Sequence, residues 1–232
     1  GAQAKYRVTD NFSVAAGAVQ KDGITSFGAR ARYKDDKSSA DLLAAYSSGV
    51  MVTGNANVTA GRVNATGSVN YQDTNYEGLN GTAPGVAAQG SVTYKATDQL
   101  GLNLKAKYSQ VYDGDDSTPD ASGGHVDVKG LYTISPLTVG LGVRAGFGDE
   151  KGFGVVASAD YTNGALSVGV EHAQPIGDST LSPTTTVKAN IPLVENVVLA
   201  ARDDIHWGVN SMTHRGSVGL QSKFGMTNLA VN

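Results

Sequence analysis

Apolar residues recur at every second position along most of this chain, and that period admits β-strands and little else. Leu100, Leu102, Leu104, Ala106 and Tyr108 share one face of an extended segment, while Gly101, Asn103, Lys105 and Lys107 share the other. Residues 137–147 repeat the pattern, with Leu137, Val139, Leu141, Val143, Ala145 and Phe147 set against Thr138, Gly140, Gly142, Arg144 and Gly146. A helix would space its apolar residues three and four apart, and no long segment does so. The same reading along the chain gives about sixteen strands, at 2–9, 12–20, 26–34, 40–47, 50–59, 63–72, 86–96 and 100–112 in the first half. The second half gives 125–134, 137–147, 152–161, 165–173, 185–193, 197–209, 214–224 and a last one from about 228. Many approach the roughly nine to eleven residues with which a tilted strand crosses a bilayer.

A second period lies in the connections. Tight ones, such as Asp10-Asn11, Asp35-Asp36, Asp98-Gln99, Ser135-Pro136 and Asn163-Gly164, alternate with others that are often longer, at 72–85, 113–124 and 174–184. Transmembrane barrels sort their connections in this way, with tight turns on one side and long loops on the other. Aromatic residues gather at the strand ends. Tyr6, Phe12, Tyr33, Tyr94, Tyr132, Tyr161 and Phe224 lie near the tight turns, and Tyr46, Tyr71, Tyr108, Phe147, Phe153 and Trp207 lie toward the opposite ends. A bilayer selects two such girdles, because amphipathic rings prefer the headgroup level. The expected fold is therefore all-β, an antiparallel up-and-down transmembrane β-barrel of about 16 strands. Residues 1–232 are expected to form a single such domain, or a piece of a larger barrel.

Composition fits this reading. Gly accounts for 30 of 232 residues with no collagen period, and mean hydropathy is −0.18, as expected where apolar residues hide at alternate positions. With no Cys, disulfides, thiolate zinc sites and thiol catalysis are excluded. A net charge of −3 with no basic run argues against a nucleic-acid partner. No stretch reaches the roughly 18 apolar residues of a membrane-spanning helix, and no signal peptide opens the chain. The apolar face is rich in Ala and Gly, including Ala16, Ala18, Ala29, Ala31, Ala88, Gly90, Ala157 and Ala159. Small side chains there suit either lipid or close contact with other protein.

Across its whole length the chain resembles the general outer-membrane porins. The turn phrases Tyr6-Arg7-Val8-Thr9-Asp10-Asn11-Phe12 and Tyr94-Lys95-Ala96-Thr97-Asp98-Gln99-Leu100 resemble those in the C-terminal barrels of Deinococcus–Thermus S-layer-like outer-membrane proteins. That narrower resemblance implies a subunit of an oligomeric envelope complex. The surface-layer homology domain and coiled coil of that family are not among these residues. The chain also stops at Val231-Asn232 without the terminal aromatic typical of porins, so either completeness or subfamily differs.

If the apolar face meets lipid, the opposite face lines the lumen. Its basic residues are Lys5, Arg7, Arg30, Arg32, Lys34, Lys95, Lys105, Lys107, Lys129, Arg144, Lys188, Arg202 and Lys223, against the acids Asp41, Asp127, Asp160, Glu171 and Asp204. A basic wall favours anions through its summed field; the alternative is that these charges pair across neighbouring strands. Asp113, Asp115, Asp116 and Asp120 form a weak calcium candidate, since closely spaced carboxylates suit hard cations. The segment lacks the spaced calcium-loop pattern and a closing Glu, and reads better as a solvated acidic loop. The four histidines (His125, His172, His206, His214) form no His-Glu-x-x-His motif, and Ser211 with His214 is one of many Ser–His pairs a Ser-rich chain offers. The glycine-rich segment at 146–152 lacks a P-loop ending. No catalytic residue, resident metal or cofactor is expected.

Three functions follow. The first is a bacterial outer-membrane channel for passive passage of ions and small solutes, with a basic lumen. The second is a structural envelope or S-layer-type barrel acting as an anchor or scaffold. The third is a soluble all-β binding module or adhesin. For the membrane readings the expected partners are the lipid bilayer, small solutes or ions, and further copies or other envelope proteins.

Overall fold

The computed structural model describes all residues except 22, 78–83, 113–120, 209–211, 225–226 and 230–232. All regular structure in the described residues is strand. The first eight strands are β1 (Ala2–Arg7), β2 (Phe12–Lys21), β3 (Ile24–Lys34), β4 (Ser38–Ser47), β5 (Gly49–Ala60), β6 (Val63–Gln72), β7 (Gly85–Lys95) and β8 (Leu100–Val111). The second eight are β9 (Ala121–Ile134), β10 (Leu137–Gly148), β11 (Gly152–Asn163), β12 (Leu166–Ile176), β13 (Thr184–Val194), β14 (Val197–Trp207), β15 (Met212–Phe224) and β16 (Thr227–Leu229). They form one sheet in the order of the chain, each strand hydrogen-bonded to the next in sequence. This all-β, antiparallel up-and-down arrangement agrees with the sequence reading, boundaries included to within a few residues. No helix is long and apolar enough to cross a membrane, which says nothing of strands. By its internal contacts the chain divides into two compact units. The first is Gly1–Tyr94, Leu104–Val126 and Phe147–Asp149; the second is Lys95–Asn103, Asp127–Gly146 and Glu150–Asn232.

Turn chemistry fixes the strand ends. In the connection after β1, the Thr9 hydroxyl accepts the backbone N–H of Asn11 and Phe12. Thr97 does the same for Gln99 and Leu100 before β8. The matching turn phrases therefore fold by one hydrogen-bond pattern, a hydroxyl standing in for a backbone turn acceptor. Asp35 closes the β3–β4 turn by accepting the N–H of Lys37 and Ser38 and the Tyr33 hydroxyl. Those donors hold the Asp35 carboxyl below the usual carboxylate range, the Tyr33 hydroxyl contributing most. Gly61 and Gly164 turn their hairpins at φ +56 and +58, a left-handed conformation a side chain disfavours.

Within each unit the two faces of the sheet differ in the sense opposite to a water-soluble protein. On β10, Leu137, Val139, Leu141, Val143 and Phe147 are exposed, whereas Gly140 and Arg144 between them are buried. On β9, Val128 and Tyr132 are exposed while His125, Asp127 and Lys129 are buried. In the first unit Phe27 is 56% exposed beside the buried Ser26, and Tyr46 is 55% exposed beside the buried Ser47. Among the described residues the buried apolar side chains are only Met51, Tyr76, Val156, Ala173 and Leu181. Each large apolar side chain left in water forgoes about 1.5–3 kcal/mol of burial. A sheet that leaves dozens uncovered is built to meet something other than water on that face.

The glycines between charged residues allow close approach. Asp160, Gly169 and Lys188 stand in one row across β11, β12 and β13. A Cβ on Gly169 would collide with the Asp160 carboxylate and the Lys188 stem, so its absence lets that pair bridge over β12. On the apolar face Tyr108 and Phe147 stack at 6.4 Å with β9 between them, and a Cβ on Gly124 would lie 2.9 Å from the Phe147 ring.

Candidate functional site: the polar face of the sheet

The charged side chains singled out above lie on the polar face. In the first unit, backbone register puts Lys5 opposite Ala15 and Ala15 opposite Arg30; Arg7, Ser13, Arg32 and Asp41 follow in the next row. Small residues on β2 thus leave room between the basic side chains of β1 and β3. Asp41 holds both arginines: Arg30 reaches it through Nε at 2.7 Å and Nη2 at 2.5 Å, and Arg32 through Nε at 2.8 Å. Arg7 lies 3.7 Å from Asp10 in the adjoining turn, both highly exposed. Lys5, Lys34 and Lys107 are exposed and Lys105 is half-buried; Lys95, of the second unit, is exposed. Of the basic residues on β1 to β4, the five read as lumenal (Lys5, Arg7, Arg30, Arg32, Lys34) meet one strand acid, Asp41, so this face keeps a positive surplus.

In the second unit four basic residues meet acids. Arg144 binds the fully buried Asp127 through two parallel hydrogen bonds, 2.7 and 2.8 Å, and lies 3.3 Å from the Thr184 hydroxyl. Lys129 pairs with Glu171. Its stem passes over Gly142, where a Cβ would lie 2.8 Å from Lys129 Cγ. Lys188 lies 3.3 Å from Asp160, and Arg202 binds Asp204 at 2.9 and 3.0 Å. These four bases thus each meet an acid on the same face, whereas Lys95, which also belongs to this unit, is exposed. Three of these pairs join different strands, while Arg202 and Asp204 pair within β14. The Lys223 side chain lies outside the described residues.

Sequence periodicity missed the apolar residues on the polar face. Met51, Leu43 and Tyr76 line a cavity of about 490 Å³ with Gln3, Arg30 and the small residues Ala15, Gly17, Gly28 and Ala45. Tyr76 arrives on the segment after β6, pinned by Tyr76 N–H to Asp73 C=O at 3.2 Å and Glu77 N–H to Ser47 C=O at 3.2 Å. That segment packs on Gly49, where a Cβ would lie 2.6 Å from the Tyr76 nitrogen. Burial pushes the Tyr76 hydroxyl above the ordinary phenol range. The signal was present as breaks in alternation: Leu42-Leu43, Val50-Met51-Val52 and Val155-Val156 each put an apolar residue on both faces.

A polar cluster in turn interrupts the apolar face on β12–β15. His172 Nδ1 lies 2.8 Å from the Thr185 hydroxyl, which also accepts the Trp207 indole N–H at 2.9 Å, and His214 Nδ1 lies 3.0 Å from Asp203. Among the described residues no group of three or more His, Asp or Glu is placed to hold a metal. The calcium candidates Asp113, Asp115, Asp116 and Asp120, and Ser211, lie outside the described residues.

The class this architecture defines is an all-β, antiparallel up-and-down sheet with one apolar and one charged face. No protein-family model matches the chain, and no curated protein matches it. Among solved structures it is similar to engineered variants of the Rh. blastica porin. One shows 14% identity and TM-score 0.40, covering 90% of this chain and 88% of that chain. A second shows 13% identity and TM-score 0.39 over the same shares. A structure described as concerning the asymmetric conductivity of engineered proteins shows 13% identity and TM-score 0.40.

Proposed function

We propose that this chain forms a transmembrane β-barrel of the bacterial outer membrane. Its apolar face meets lipid, and its polar face lines an aqueous passage for ions and small solutes. The observation that carries this reading is the reversed burial: Leu141 and Phe153 are each 70% exposed while Asp127 is 0% and Arg144 6% exposed. In water that distribution runs uphill; against hydrocarbon it is the stable one, because lipid takes the apolar face and polar groups gather away from it. Strand length supports the same reading, since β2 to β15 run ten to fourteen residues, enough to cross at a tilt. Sixteen strands closed into one barrel domain, alone or with further strands, leave an aqueous lumen. The basic surplus on β1 to β4, with Lys105 and Lys107, then lines the pore and favours anions. We assign the chain no catalytic role and no resident cofactor.

Reconstitution of the folded chain into planar bilayers tests the channel. Discrete conductance steps are the expected result. A folded, membrane-inserted protein that never conducts points to a second reading, an envelope anchor or scaffold of the S-layer type. The pairing of Lys129, Arg144, Lys188 and Arg202 with acids favours that reading, since locked charge pairs serve cohesion better than transport. Partition into the aqueous phase on detergent extraction would sink both readings in favour of a soluble module.

A further inference from the structure

Two consecutive strands carry no charge on their polar face, and a third carries none before its last residue. β5 and β6 contain no Asp, Glu, Lys or Arg, and β7 reaches its first in Lys95, its last residue. Register stacks their neutral groups in rows, Thr53 with Asn70 and Asn55 with Ser68 and Gln89. In the rows beyond, the groups pair with one another: Thr66 with Ser91 at 2.8 Å, and Asn64 donating to Thr59 at 2.9 Å. The nearer rows behave differently. Among the described residues the side chains of Thr53, Asn55, Ser68 and Gln89 make no hydrogen bond, and Lys107 makes no ion pair. These five line a niche of about 350 Å³ together with Asn70, Ala87, Val69, Ala88 and Tyr108.

We propose that this niche binds a hydroxyl-rich solute of the sugar class, with Lys107 at its rim favouring a sugar that also carries a carboxylate. The inference deepens the channel reading, in which the same face lines the passage. Amides and hydroxyls both donate and accept, so an array of them matches the mixed donors and acceptors of a polyol. An array of like charges would instead select ions. The volume falls at the lower end of small-ligand sites. Exchanging water for solute hydroxyls on neutral groups is nearly even in free energy. Binding is therefore weak, which a conducting site requires if the solute is to leave as readily as it enters. Lys107 adds a charge-assisted hydrogen bond that only an acidic sugar can use.

Saturation-transfer NMR on the full chain folded in detergent, with glucose, gluconate and propionate as probes, tests this without requiring conduction. Glucose and gluconate are expected to receive saturation, with gluconate binding about three- to tenfold more tightly. Asn55→Ala with Gln89→Ala should weaken both sugars by about fivefold or more. Lys107→Gln should remove only the gluconate advantage. Both amides are exposed, and circular dichroism of each variant confirms that the strands persist. Absence of transfer to glucose and gluconate overturns the proposal, and so does propionate binding as well as gluconate, because the niche would then read charge alone. Bilayer recordings on the same preparation separate the two claims. Conduction without sugar binding removes the niche and leaves the channel; binding without conduction does the reverse.

Discussion

Asp127 is fully buried and Arg144 is 6% exposed, so their bidentate pair is shielded from water as the pairs on β3–β4 and within β14 are not. Removing one partner strands the other charge, which typically costs about 3–5 kcal/mol. Asp127→Ala and Arg144→Ala should each destabilise by about that amount, and the double variant by clearly less than their sum, measured by denaturant titration in detergent. Lys188→Ala leaves an Asp160 that is already 39% exposed and should cost under about 1 kcal/mol. Asp35 offers a residue-level check outside the strands. Its folded value is depressed, so its contribution to stability is present above the ordinary carboxylate value and fades as pH falls through the folded one. Carboxyl NMR should place its midpoint below the ordinary carboxylate range, and Tyr33→Phe should move it upward.

At the scale of the strand, the period of two assigns each residue to a face, and the test is a pair of neighbours. Leu102 is 48% exposed on the apolar face and Asn103 adjoins it on the polar one. If Leu102 or Leu141 sits near the bilayer midplane, its exchange for Arg should cost about 2–4 kcal/mol of folding in vesicles, and Asn103→Arg almost nothing. Equal tolerance at the two positions would contradict the faces. Strand limits were legible where turn chemistry marks them, as at Thr9 and Thr97. The start of β9 was not: it begins at Ala121 rather than near 125, because Ala-Ser-Gly-Gly carries no apolar alternation. Its pairing shows only in space, where Ser122 C=O accepts the Asp149 N–H at 2.8 Å and Ser122 N–H reaches the Asp149 carboxylate at 2.7 Å.

For the molecule as a whole the prediction is ion selectivity. The reconstituted channel should prefer chloride to potassium at low salt. The preference should fade as the Debye length shrinks from roughly 30 Å at 0.01 M to about 3 Å at 1 M. Arg30→Glu with Arg32→Glu leaves three carboxylates where two guanidinium groups now share Asp41, and the reversal potential should change sign or collapse. Lys151→Glu, in the connection between β10 and β11, should matter less. Cation preference in the unaltered protein would refute the basic-wall reading.

What the sequence determined by itself is whatever depends on neighbours along the strand. Side chains alternate by geometry, so Leu137 to Phe147 declares two faces without reference to any other segment, and Thr9 or Asp35 closes a turn with groups two or three residues away. Only the tertiary structure decided which charges meet. Asp41 lies opposite Arg32 and within reach of Arg30, Asp127 meets Arg144, and Asp160 reaches Lys188 across Gly169. Each of these depends on the register between strands, which the count of acids and bases in the sequence does not contain. The same holds for Tyr76, carried onto the polar face by its loop, and for the Asn55 and Gln89 amides that share a niche with Lys107. A side chain's direction is a property of its own backbone, whereas its partner is set by segments folded against it from elsewhere in the chain.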